Sequence, residues 1–129
     1  MLRNFKAARA NFKDALAEVL NADQIGANCL IFDDYIPETI RATCGIAVTL
    51  QNSSVEHVLD GGEQTRFTWS VIVCAKSRDE CDELMTLVAR IDRMKSDYFS
   101  EFVVEGAEDL PFNPGNFWYA AQMQIVGMR

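Results

Sequence analysis

The chain has 129 residues, 49% of them hydrophobic and 24% charged, the proportions of one globular domain with its own core and neither a disordered nor a low-complexity chain. Twelve Lys and Arg against nineteen Asp and Glu give a net charge of −7, which opposes general binding to a nucleic-acid backbone. The start, Met1-Leu2-Arg3-Asn4-Phe5-Lys6, lacks the apolar run of a signal peptide, and no stretch approaches the ~20 apolar residues that span a bilayer. Cytosolic synthesis and no membrane partner are therefore expected.

Phe5, Ala8, Phe12, Leu16 and Val19 recur at spacings of three and four, which predicts an amphipathic helix ending near Asn21. Its flank carries Arg3, Lys6, Arg9 and Lys13, a positive stripe on a negative protein. Such a stripe serves either as a solvated face or as an electrostatic contact with an acidic surface, for instance a neighbouring copy of the chain. Cys29-Leu30-Ile31-Phe32 reads as a short buried strand, followed by a polar loop from Asp33 to Glu38.

From Thr43 the period changes to two. Cys44, Ile46, Val48 and Leu50 form one face of a strand, and Phe67, Trp69, Val71 and Val73 one face of a second strand over 66–75. Between them Asp60-Gly61-Gly62-Glu63 supplies a turn, because glycine takes positive φ without steric cost. The segment from Asn52 to Glu63 therefore predicts a hairpin arm reaching beyond the body of the domain. Val55, Val58 and Leu59 on that arm need something to cover them, and His57 stands among them.

Ser77-Arg78-Asp79-Glu80 is a capped helix start, Cys81, Leu84, Val88 and Ile91 make its buried stripe, and Arg90, Arg93 and Lys95 suit its C-terminal dipole. Two strands follow, Phe99–Glu105 and Phe117–Met128, with an Asn113-Pro114-Gly115 turn in the loop between them. The order predicts a single α+β domain over 1–129: a mostly antiparallel sheet, two helices packed on one face, and an extended hairpin arm. No internal repeat or linker interrupts it.

Motifs for chemistry are missing. There is no glycine-rich phosphate loop, and Gly61-Gly62 does not lead into a helix. The four cysteines, Cys29, Cys44, Cys74 and Cys81, form no CxxC pair, and His57 is the only histidine, so no metal site is expected. Reduced, buried thiols are the expectation for the cysteines, with disulfides open to an even number of them in an oxidising medium. Adjacent Asp33 and Asp34 point to opposite faces of an extended chain and do not share a cation. Carboxylate pairs such as Glu108 with Asp109 or Glu101 with Glu105 arise by chance among nineteen acids, and His57 has no fixed partner to orient it as a base. No cofactor and no enzymatic activity are expected.

The stretch Gln64–Leu84 couples an alternating strand to the helix start Ala75-Lys76-Ser77-Arg78-Asp79-Glu80-Cys81-Asp82-Glu83-Leu84. With a helix before it and two strands after it, this resembles the small tail terminator or tail completion (head–tail joining) proteins of long-tailed bacteriophages. In wording the resemblance covers 64–84; in element order it covers almost the whole chain. It implies a structural virion protein at the head–tail junction, a homohexameric ring that caps the tail tube, stops its polymerisation and offers a docking surface to the head connector or neck protein. It further implies that DNA passes the lumen without specific binding. The arm residues Val55, His57, Val58 and Leu59, and the basic stripe Arg3, Lys6, Arg9 and Lys13, are the subunit contacts such a ring would use, since a head-to-tail ring needs two different complementary patches on each copy. Residues 21–43 and 106–116 match no loop motif of that family. The alternatives are another head–tail connector of the same fold and, in a different class, a small cytosolic α+β enzyme or ligand-binding module.

Overall fold

The computed structural model describes residues 4–37, 44–111 and 119–129. The first helix, α1 (Phe5–Leu20), opens where the Asn4 side chain accepts from the Ala7 amide at 2.9 Å, and it buries Ala8, Phe12, Ala15, Leu16, Val19 and Leu20. A single helical turn that the sequence did not announce, α2 (Gln24–Ala27), follows, capped by Asp23. Strands β1 (Leu30–Asp33), β2 (Cys44–His57) and β3 (Glu63–Ala75) come next. The Ser77 hydroxyl then accepts from the Glu80 amide at 3.2 Å and starts α3 (Arg78–Ala89), as its capping sequence requires. A 3-10 turn (Arg90–Arg93) ends that helix, and β4 (Glu101–Asp109) and β5 (Tyr119–Met128) complete the fold. The Asn113-Pro114-Gly115 turn lies outside the described residues.

The sheet has the order β1-β2-β3-β5-β4, antiparallel throughout except that β1 runs parallel to β2. This is the expected α+β fold. Strand alternation sends Ile46, Val48, Phe67, Trp69, Val71, Val73, Met123 and Ile125 to the face that α1 and α3 cover. On it Phe12 stacks on Trp69 with ring centroids 4.4 Å apart, and Phe99 meets both Phe12 and Phe67 edge-on. Phe99 lies so close over Gly127 that a Cβ there would come within 2.9 Å of the ring, so β5 needs glycine at that place. The other face is mostly polar, with a small apolar group of Ile36, Ala47, Cys74 and Ala120 at one end.

Two readings of the segment before β2 change. The stretch from Asp33 is less polar in effect than its composition: Asp33 closes β1, Asp34 takes φ 70°, and Ile36 turns back to bury itself against Ala47. Cys29 and Cys44, expected as thiols, form a disulfide with Cα atoms 5.1 Å apart. The cause is register. β1 pairs Leu30 with Gly45, so Cys29, just before β1, faces Cys44, the first residue of β2.

Cys74 and Cys81 are free and buried, as expected. Burial, and then the neighbouring Cys81, push the Cys74 thiol up to about 12; burial, and then Asp82, raise Cys81. A raised thiol stays neutral in the fold while the unfolded chain ionises near its ordinary 9.0. The stability this supplies is complete below that value and is lost as pH rises towards about 12. We therefore expect the urea midpoint to fall steadily above pH ~9, with a slope of about 1.4 kcal/mol per pH unit from one thiol. Cys74→Ala should flatten that slope; an unchanged slope would refute the assignment to Cys74.

Candidate functional site: the arm, the basic stripe and the sheet edges

The β2–β3 hairpin is long because alternation persists in both strands and nothing breaks it before the turn. Its ladder runs from Cys44/Ala75 to His57/Glu63, with a bulge at Gln51 that lets the outer half twist away from the inner half. The turn is closed by Val58 N–H donating to the Gly62 carbonyl and Gly61 N–H donating to the Val58 carbonyl, each at 3.0 Å, with Gly61 at φ 79°. β5 accompanies β3 only as far as Arg129, whose backbone exchanges two 2.8 Å hydrogen bonds with Thr65. Beyond that level the two arm strands run without a third strand among the described residues, projecting roughly 10 Å at the usual rise per residue.

Of the residues expected on this arm, Val55 is half-buried, while His57, opposite Glu63, and Val58 are exposed. Leu59 is 106% exposed, so its side chain touches nothing within its own subunit. An apolar side chain held at the tip of an ordered hairpin is not accounted for by the core of its own chain.

Of the basic stripe, Lys6, Arg9 and Lys13 lie on α1. Lys13 reaches Asp33 of β1 at 3.1 Å, which places that flank of α1 over the β1–β2 side of the sheet. Lys6 and Arg9 share the flank by helical spacing and form no ion pair among the described residues; Arg3 lies outside them. The Phe5 ring packs edge-on against Phe67 at 6.4 Å, so the helix start sits at the base of the arm. Tertiary structure thus brings Lys6 and the arm to one end of the molecule, although they are some fifty positions apart in sequence.

What sequence reasoning missed is that β4, foreseen as a strand over Phe99–Glu105, runs on to Asp109 as an acidic sheet edge. It supplies four acids in nine residues, Glu101, Glu105, Glu108 and Asp109, and forms the sheet edge opposite to β1. Read as pairs these acids mean nothing; read as an edge strand without a basic residue they form an acidic border. Glu105 is taken by Arg66 and Asp109 by Arg78 at 2.9 Å, which, with the attendant attraction, raises the Arg78 guanidinium further. Glu101 and Glu108 have no cation within ion-pair distance among the described residues.

The described surface includes shallow cavities. One of about 400 Å³ lies between α2 and α3, lined by Asp23, Ile25, Asp82, Glu83, Thr86, Leu87 and Arg90. A second of about 300 Å³ lies on the polar sheet face beside Gln122 and Gln124, and a third of about 190 Å³ lies between α1 and the segment Met94–Asp97. Among the described residues no three of His, Cys, Asp and Glu stand together as metal ligands, and no helix is long and apolar enough to cross a membrane.

No protein-family description and no curated protein matches the sequence. Among solved structures the chain is similar to a component of the "Virion of native gene transfer agent (GTA) particle", at 16% identity and a TM-score of 0.52, covering 93% of this chain and 95% of that one. At that identity the likeness is one of fold.

Proposed function

We propose that this chain is a structural virion protein of a phage-like particle: a ring-forming tail terminator that caps the tail tube and receives the head connector. The observation that carries this reading is the end-to-end likeness in fold to a component of a gene transfer agent virion, which spans nearly the whole of both chains. It agrees with the resemblance of residues 64–84 to tail terminator proteins, and the solvent-held Leu59 at the arm tip gives a ring a place to close on a neighbour.

The mechanism is geometric rather than catalytic. A copy bound to the last ring of the tube presents a surface that no further tube subunit matches, so growth stops there. With a net charge of −7 the ring repels passing DNA rather than holding it, since like charges release no counterions. Six copies closing head to tail would leave tube and connector on opposite faces of the ring. Light scattering over a concentration series should find a species of six chain masses at high concentration. Added to growing tail tubes, that species should hold their length constant in electron micrographs. Tubes that lengthen as they do without it would refute the terminator role.

A further inference from the structure

We propose that copies of this chain join by sheet extension: the open edge of β2 on the arm, Leu50–His57, pairs antiparallel with the open edge of β4, Glu101–Asp109, in a second copy. This rests on the ring reading above and names its interface.

Three observations lead there. First, neither edge has a neighbouring strand among the described residues, and the two are of similar length. β1 covers β2 only from Gly45 to Val48, so β2 from Leu50 onward has no strand on that side among the described residues, and β4 ends the sheet on the other. The backbone bonds show which way the arm faces. Thr65 gives both its N–H and its C=O to Arg129, so its partner across the hairpin, Val55, receives neither. The N–H and C=O of Val55 therefore point out to the open edge, and strand alternation gives His57 the same orientation.

Second, the strand sense fits. β3 is antiparallel to β2, β5 to β3, and β4 to β5, so β4 runs antiparallel to β2. Subunits following one another around a ring keep one orientation, so β4 of one copy meets β2 of the next in the better-bonded antiparallel sense. Repetition around the ring covers both of these edges and leaves only the short outer edge of β1, which lessens the aggregation hazard that two long open edges pose.

Third, the borders have opposite charge. Lys6 and Arg9 overhang the β2 side, while Glu101 and Glu108 line β4, all exposed or half-exposed and unpaired among the described residues. Strand alternation puts Glu101 and Glu108 on the polar face of the sheet, opposite Met128 and Gln122, while Lys6 and Arg9 ride on α1 over the other face, so these groups form no ion pairs across the joint; a two-fold pairing of like edges would set like charge beside like, and the head-to-tail pairing of unlike edges avoids that.

The test compares native mass and amide exchange in the full chain and three variants. Val55→Pro removes an outward N–H and leaves the β2–β3 ladder bonds in place; it should yield monomers with the wild-type circular dichroism spectrum. Should that variant misfold, two exposed charge reversals decide the matter. Lys6→Glu with Arg9→Glu, and Glu101→Lys with Glu108→Lys, each make the two borders alike in charge and should each need a higher concentration to assemble alone, while an equimolar mixture should assemble at the wild-type concentration as alternating rings. In assembled wild type the Val55 and His57 amides should exchange at least ten-fold more slowly than in diluted monomer. An assembled wild type whose folded variants assemble equally well, with those amides unprotected, overturns the edge pairing and leaves the ring reading standing. A wild type monomeric at every concentration overturns self-assembly and the edge pairing together, and leaves the edges for a different partner.

Discussion

Replacing Phe12 with alanine should cost about 3–5 kcal/mol of unfolding free energy, a large share of the roughly 5–15 kcal/mol that holds a domain together. Phe12 is fully buried, stacks on Trp69 at an interplanar angle of 5°, and meets Phe99 and Phe102 as well. It is the side chain through which α1 grips the sheet at mid-length, and truncation leaves a cavity that its neighbours on β3, on β4 and in the segment before β4 cannot all close. Trp69→Phe should cost much less, about 1–2 kcal/mol. The buried indole N–H has no hydrogen-bond partner among the described residues, so losing it relieves an unmet donor while the phenyl ring keeps the stack. Urea denaturation of both variants checks the ranking. Equal losses would mean that the indole N–H is satisfied in solution, and a Phe12→Ala loss under about 1 kcal/mol would mean that α1 is held elsewhere. Because Lys6 and Arg9 ride on α1, Phe12→Ala should also weaken assembly wherever the helix frays.

The arm gives the opposite profile, assembly lost with stability kept. Replacing residues 53–62 by a short turn should leave a cooperatively folding domain, since the core between sheet and helices lies inward of Phe67. The same variant should be monomeric at every concentration. The milder Leu59→Asp keeps the backbone and tests the tip alone. Fully exposed in the subunit, Leu59 contributes nothing to folding, so the melting temperature should stay within about a degree. If the tip is buried on a neighbour, losing it costs about 1.5–3 kcal/mol at each contact, or roughly 10- to 150-fold in association. Sedimentation at matched concentrations reads both effects. Rings that persist in the 53–62 replacement would sink the arm as an interface, and a Leu59→Asp variant that loses stability would show that the tip packs within its own subunit.

Local periodicity was enough for the parts of this protein whose partners are near in sequence. The 3.6-residue spacing of Phe5 to Val19, the Ser77 cap, the two-residue alternation of the long strands and the Asp60-Gly61-Gly62 turn each state their own conformation, because backbone geometry and one buried face decide them. Together they made the α+β class and the arm legible in advance. The acidic border, the disulfide and the placement of the stripe were not, because each is a relation between distant segments. Cys29 and Cys44 meet only because β1 adds parallel to β2 in a particular register, and a four-residue strand carries no signal of its direction or partner. Glu101 and Glu108 become a border only once β4 is found at the end of the sheet order, a position set by how five strands share one pair of helices. Lys6 comes to the arm because Phe5 packs on Phe67, a contact chosen by the fit of side chains in the core. The sequence by itself determined which segments are helix, strand and turn and that the chain is negative with a positive first helix. Tertiary packing alone decided which edges stay open and which charges stand beside them, because strand order and register are selected by the joint burial of all the elements and by no one of them.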